Sequence, residues 1–166
     1  MTAVEEHRAH APHRVSCGVI TISDSRTEAT DESGGLVKRI LEEAGHAVAF
    51  YAVVKDDAPA ILNALARAES DCDVIVTNGG TGLSRRDVTI ETLGPRFEKV
   101  LPGFGELFRM LSFSKVGSAA MLSRAVAGVY RGRLMFCLPG SPQACELAMT
   151  SLILPELGHA VGVMRR

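Results

Sequence analysis

Apolar positions along this chain follow two different periods in turn. "RVSCGVITIS" (14–23) is a short run rich in valine and isoleucine, which predicts a strand. It gives way to "SDSRTEATDESGG", a polar loop long for a simple connector. Leu36, Val37, Ile40 and Leu41 then have the spacing of one helix face, with Ser33 as the expected cap and Gly45 as the stop. The order repeats: "HAVAFYAVV" predicts a strand, "DDAPAILNALARAES" a helix with Pro59 in its first turn, and "DVIVTNGG" a strand that runs straight into a glycine-rich loop.

Strands that alternate with helices require right-handed crossovers, hence parallel pairing with helices on both faces. The expected fold is an α/β three-layer sandwich with a mostly parallel central sheet. Beyond residue 89 the pattern loosens. "VTIETLGPRF" predicts a short helix and "GFGELFRMLSFSKVG" a longer one whose Phe104, Leu107, Phe108, Leu111 and Phe113 serve either core or interface. "AVAGVYRGRLMFCLPG" predicts two strands around a turn, a small antiparallel edge element, and two helices follow at about 142–152 and 155–164. Residues 1–13 contain little that could dock and are expected to form a flexible tail before a single domain at 14–166.

A net charge of −1 excludes a global field that would draw the chain to nucleic acid or to an anionic membrane, so any anion site must be local. No run reaches the ~18 apolar residues of a membrane span. Cys17, Cys72, Cys137 and Cys145 form no C-x-x-C pair and mostly sit in apolar runs, which suits buried, reduced thiols and a cytoplasmic protein. His7, His10 and His13 are spaced for one helix face, but Pro12 breaks that face and a loose tail is a better reading than a zinc site.

In a parallel sheet, ligands gather at the carboxyl ends of the strands. Four polar elements fall there: Ser23 and Asp24, Asp56 and Asp57, "NGGTGLSRRDVT" (78–89), and Pro139, Gly140 and Ser141. The glycine loop has neither the Lys-Ser/Thr pair of one common phosphate loop nor the G-x-G-x-x-G spacing of the other. Gly79, Gly80 and Gly82 can still turn several N–H groups toward an anion, with the Thr81 hydroxyl beside them. Ser141 and Pro142 have the form of a helix cap and first turn, whose free N–H groups also suit an anion. Carboxylates beside a phosphate site repel it unless a cation lies between, so Asp56 and Asp87 suggest Mg²⁺, with Asp57 as the alternative to Asp56. Asp87 also fits a helix cap, and Arg85 and Arg86 fit neutralisers of phosphate charge.

Taken in order, "ITISDSR", "DESGG", "EEAGH", "VVKDD", "TNGGTGLSRRDVT", "VLPGFGELFRMLSF", "SRAVAG" and "LPGSPQACELA" resemble the MoaB/MogA molybdenum cofactor biosynthesis family, whose fold also forms the G domains of gephyrin and the plant Cnx proteins. The likeness runs from about residue 14 to 157 and leans toward the MoaB branch. It implies a molybdopterin-binding protein that assembles as a homotrimer or homohexamer and works beside other enzymes of that pathway. It further implies AMP transfer from Mg-ATP to the terminal phosphate of molybdopterin, or, where that activity is lost, a non-catalytic carrier. Asp56 and Asp87 stand where the family carries functional carboxylates, and Ser23, Asp24, Ser123 and Arg124 join the expected site by the same resemblance. Ser141 stands where many relatives carry asparagine.

Overall fold

The computed structural model describes residues 2–166. Six strands form one sheet in the order β2-β1-β3-β6-β5-β4: β1 (Ser16–Ile22), β2 (Ala47–Val54), β3 (Val74–Asn78), β4 (Lys99–Val100), β5 (Val126–Tyr130) and β6 (Arg133–Leu138). The four strands β2, β1, β3 and β6 are parallel, while β5 and the two-residue β4 close one edge in antiparallel pairing. The expected α/β sandwich with its antiparallel edge is therefore present. Arg131 and Gly132 turn β5 into β6 with φ of 45° and 70°, the mirror-image turn that matches strand twist.

Helices cover both faces. On one lie α2 (Glu32–Glu43), α5 (Pro102–Val116), α6 (Pro142–Ala148) and α7 (Leu154–Met164), which bury Val37, Leu41, Phe108, Ala148, Leu157 and Val161 in the core shared with β1, β3 and β6. On the other lie α3 (Ala58–Ala68) and α4 (Thr89–Leu93), whose Ile61, Leu65 and Leu93 pack on Ile20, Ile75 and Met135. Each such leucine or isoleucine, withdrawn from water, contributes about 1.5–3 kcal/mol. Because β1 and β3 are covered on both sides, nearly all their residues are buried, which explains their continuous apolar runs.

Four local expectations need correction. Asp31, not Ser33, caps α2 by accepting from the Gly34 N–H (2.9 Å), which leaves the buried Ser33 hydroxyl to donate to the Gly140 carbonyl (2.7 Å). The two C-terminal helices join into one helix from 142 to 164, because the turn before Pro155 widens to π geometry (Met149–Ile153) and carries the chain past a residue with no N–H to donate. By length and hydropathy that joined helix would pass for a membrane span, yet Cys145, Ala148, Met149, Ile153, Leu157 and Val161 on it belong to the core.

The leader is the third correction. Ala3–Ala9 forms helix α1 rather than a loose tail, started by a Thr2–Glu5 capping box and docked on α7 through the Arg8–Glu156 ion pair and the approach of the His7 and His159 rings. It ends before Pro12, and Pro12 packs on Gly158, where a side chain would collide with the Pro12 carbonyl. Charge and a glycine contact dock this segment, which apolar content could not show. The fourth correction, at Asp87, belongs to the site.

Candidate functional site

The carboxyl ends of β2, β1, β3 and β6 bring the four polar elements together along one edge. Gly79 and Gly80 follow β3 with φ of 93° and 66°, in a region where a side chain would be strained. The Gly79 N–H donates to the Leu138 carbonyl at the end of β6 (3.0 Å), and Gly140 approaches Gly79 so closely that a Cβ there would sit 3.2 Å from the Gly79 Cα. The glycine loop and the Pro139-Gly140-Ser141 turn are thus in direct contact.

The loop is anchored through its carbonyls. Thr89 donates to the Gly79 carbonyl with its hydroxyl (2.8 Å) and to the Gly80 carbonyl with its N–H (3.0 Å). Arg124 donates to the Thr81 carbonyl (3.0 Å) and the Gly82 carbonyl (2.6 Å), and pairs with Glu91 of α4. By contrast, the N–H groups of Gly80, Thr81 and Gly82 have no acceptor among the described residues. Carbonyls held and N–H groups free is the arrangement that favours an anion.

The glycines also admit the acids. A Cβ on Gly80 would come within 2.8 Å of Asp56 Oδ1, and one on Gly82 within 2.7 Å of Asp87 Oδ2. Asp56 accepts weakly from the Val88 N–H (3.5 Å), while its own N–H donates to Asp24 Oδ1 (3.2 Å). Burial pushes the Asp56 carboxyl above the usual range, and the charges of Asp87 and Asp24 add to the rise. Asp57 points elsewhere, capping α3 by accepting from the Ala60 N–H (2.9 Å). Of the two candidates, Asp56 is the one at the loop.

Asp87 is not a helix cap. The helix begins at Thr89 after Val88, with no side-chain cap, and Asp87 turns back to accept from the Ser84 N–H (3.0 Å). Arg86 pairs with Asp24, whose carboxyl is held below its usual range first by that hydrogen bond and then by the Asp56 N–H. Arg85 is exposed and makes no ion pair among the described residues. Ser23 turns its own loop by accepting from the N–H groups of Ser25 and Arg26 (3.3 and 3.2 Å). Ser141 caps α6 as expected, accepting from the Ala144 N–H (3.2 Å) with Pro142 behind it. Ser123 borders a cavity beside Ser141, whereas Arg124 faces the loop from beneath and holds it.

Among the described residues no group of three or more His, Cys, Asp or Glu side chains is gathered to hold a metal. A cation at this edge would rest on Asp56, Asp87 and oxygens of its ligand, the coordination Mg²⁺ commonly adopts. The donor set fits, since the carboxylates that repel one another are hard oxygen ligands. Asn78 belongs to the support as well: its amide donates to Thr21 Oγ1 (2.8 Å) and its buried Oδ1 has no partner. Asn78 and Thr89 bound the glycine stretch itself, whereas Glu91 and Ser33 reach the site only through Arg124 and the Gly140 carbonyl, contacts that sequence spacing does not show.

Sheet order, lysine-free loop and facing helix cap together define an α/β sandwich whose strand ends present free loop N–H groups. The chain belongs to the family whose model is described as a probable molybdopterin binding domain, which matches residues 18–159. It is 50% identical over 167 residues to the Molybdenum cofactor biosynthesis protein B of Bacillus cereus, covering 99% of both chains. Against the protein of the same name from Bacillus subtilis the identity is also 50% over 167 residues, covering 99% of this chain and 98% of the relative. A crystal structure of a Molybdenum cofactor biosynthesis protein B superimposes with a TM-score of 0.90 at 50% identity, covering 95% of this chain and 99% of that one. The tungsten cofactor synthesizing protein MoaB from Pyrococcus furiosus follows with 0.85 at 42%, covering 94% and 100%.

Proposed function

We propose that this protein acts in molybdenum cofactor biosynthesis by binding molybdopterin and transferring AMP from Mg-ATP to its terminal phosphate. The observation that carries this reading is the row of free N–H groups at Gly80, Thr81 and Gly82, set between two carboxylates and a helix N-terminus. Family membership and relatives named for cofactor biosynthesis supply the substrate class.

A phosphate monoester needs little activation as a nucleophile. Its oxygen attacks the α-phosphorus of ATP, the bond from that phosphorus to the bridging oxygen breaks, and pyrophosphate leaves with the electron pair. Mg²⁺ would neutralise charge on the phosphates. The chain's own part is positioning: loop N–H groups and the α6 N-terminus orient phosphate oxygens, and Asp56 and Asp87 supply ligands to the cation. Arg85, free at the rim, is suited to the leaving group. Four free, buried thiols accord with a cytoplasmic protein.

Incubation with molybdopterin and Mg-ATP is expected to yield adenylylated molybdopterin and pyrophosphate, and Asp87→Asn to abolish both. Wild type that forms neither product would sink the transferase. One observation favours a second reading, a carrier that keeps the pocket without the chemistry: Arg86, the other guanidinium at the rim, is engaged by Asp24. A carrier binds molybdopterin with an affinity indifferent to ATP and Mg²⁺.

A further inference from the structure

In the glycine loop, the carbonyls that are held and the N–H groups that are free belong to the same peptide units. Thr89 donates to the Gly79 carbonyl with its hydroxyl (2.8 Å) and to the Gly80 carbonyl with its N–H (3.0 Å), and Arg124 donates to the Thr81 carbonyl (3.0 Å). The N–H groups across those three peptide bonds are those of Gly80, Thr81 and Gly82, which have no acceptor among the described residues. Among those residues no peptide bond is cis. In a planar trans unit the N–H points opposite to the C=O, so a donor that fixes the carbonyl also fixes where the N–H is aimed.

The same arrangement recurs in the turn after β6. Ser33, in the first turn of α2, donates its hydroxyl to the Gly140 carbonyl (2.7 Å), and the N–H across that bond, that of Ser141, has no acceptor among the described residues. The two loops meet here, since a Cβ on Gly140 would sit 3.2 Å from the Gly79 Cα. The fixing groups come from helices on opposite faces of the sheet, Thr89 from the start of α4 and Ser33 from α2, and they are 0% and 1% exposed. Each N–H is thereby turned away from the helix that holds its carbonyl.

Fixing matters at these two units in particular. One peptide joins Gly79 to Gly80 and the other starts at Gly140, so the backbone itself does little to resist rotation of either plane. A plane free to rotate would present its carbonyl oxygen to an anion as readily as its N–H, and ordering it on binding would cost conformational entropy. Donors aimed before the ligand arrives avoid that cost. We propose that Thr89 and Ser33 are positioning residues of the anion site: through the Gly79 and Gly140 carbonyls they aim the Gly80 and Ser141 N–H groups at one phosphate-bearing ligand, a donor from each loop. Neither side chain touches that ligand. The inference rests on the anion-binding part of the proposed function and not on the transfer step, so it holds equally for a carrier.

The test is a titration of inorganic pyrophosphate into the full isotope-labelled chain, read from its backbone amide resonances, with affinity from calorimetry and stability from thermal melts. In wild type the Gly80 and Ser141 amides are expected to shift together as the site fills. Thr89→Val keeps the shape of the side chain and loses the hydroxyl; it should weaken binding about three- to tenfold and remove the Gly80 shift while the Ser141 shift stays. Ser33→Ala should do the reverse, and Thr89→Ser, which keeps the hydroxyl, should restore both the affinity and the Gly80 shift. A lower Tm with both amides altered alike in each variant would mark a merely structural role and overturn the proposal. So would wild-type affinity in Thr89→Val and Ser33→Ala, or a Thr89→Ser no better than Thr89→Val. Wild type that binds pyrophosphate and shifts neither amide would overturn the positioning roles and leave the transferase standing. The expected shifts in a wild type that forms no adenylylated molybdopterin would keep the positioning roles and remove the transferase. Wild type that binds no pyrophosphate would overturn the anion site and both roles with it.

Discussion

Asp56 sits where its own charge is disfavoured. Burial raises its carboxyl, Asp87 and Asp24 raise it further, and the Val88 N–H and Arg86 pull the other way. A carboxyl raised in the folded state holds its proton more tightly there than in the unfolded chain. Its contribution to stability is therefore present below the unfolded value and lost as pH rises through the raised one. Asp56→Asn is expected to leave stability unchanged in acid and to raise it slightly at neutral pH, by roughly a few tenths of a kcal/mol because the group is partly exposed. Denaturant melts at the two pH values check the sign. Mg²⁺ competes with that proton, so it should raise the Tm of wild type more at neutral pH than in acid, and that of Asp56→Asn little at either. Gly80→Ala carries the opposite cost, since φ of 66° and collisions with Thr89 and Asp56 both resist the methyl. A loss of about 1–3 kcal/mol is expected, together with loss of ligand binding at the loop. Stability equal to wild type would show that the loop is softer than its contacts imply.

Between elements, Arg124 is the main tie. From the start of β5 it reaches two carbonyls of the glycine loop and Glu91 of α4, so three segments meet on one guanidinium. Arg124→Leu should cost about 1–3 kcal/mol by leaving those acceptors unpaired. Arg124→Lys should recover little of it, because an ammonium lacks the planar fork. Urea midpoints for the pair decide this, and full rescue by lysine would reduce Arg124 to a bulk charge. The resemblance had suggested Arg124 as a ligand contact, and only the three-dimensional path of β5 beneath the loop shows what its donors reach. Other features were legible for plain reasons. Strand and helix periods, Ser141 before Pro142, and the turn at Arg131-Gly132 are set by neighbours in sequence. Asp31 against Ser33, Asp56 against Asp57, and the direction of Asp87 turn on which of two adjacent polar side chains meets a distant backbone group. Sequence spacing does not decide that. The π turn before Pro155 was hidden similarly, since proline in a helical pattern ordinarily marks a boundary.

The molecule as a whole leaves one apolar surface unexplained by its own core. Along α5, Leu107, Met110, Phe113 and Val116 are spaced by three and 46–63% exposed, while Phe104 and Phe108 of the same helix are buried. Met121 and Leu122, after the helix, are 78% and 51% exposed. The helix pattern therefore had two uses, core for one set of bulky residues and an open face for the other, and the sequence could not divide them. Monomeric proteins seldom leave a contiguous apolar patch of this kind in water. A stable homo-oligomer needs roughly 800 Å² from each partner, which a fifteen-residue helix face and its following turn can supply in large part. The homotrimer or homohexamer that family resemblance implies is expected to use this face. Phe113→Glu with Val116→Glu would place like, unpaired charges at its centre and should convert the assembly to monomers in light scattering, with secondary structure intact because neither side chain is in the core. Assembly that survives both charges would move the interface elsewhere on the molecule. A wild type already monomeric at working concentration would leave the α5 face without that role.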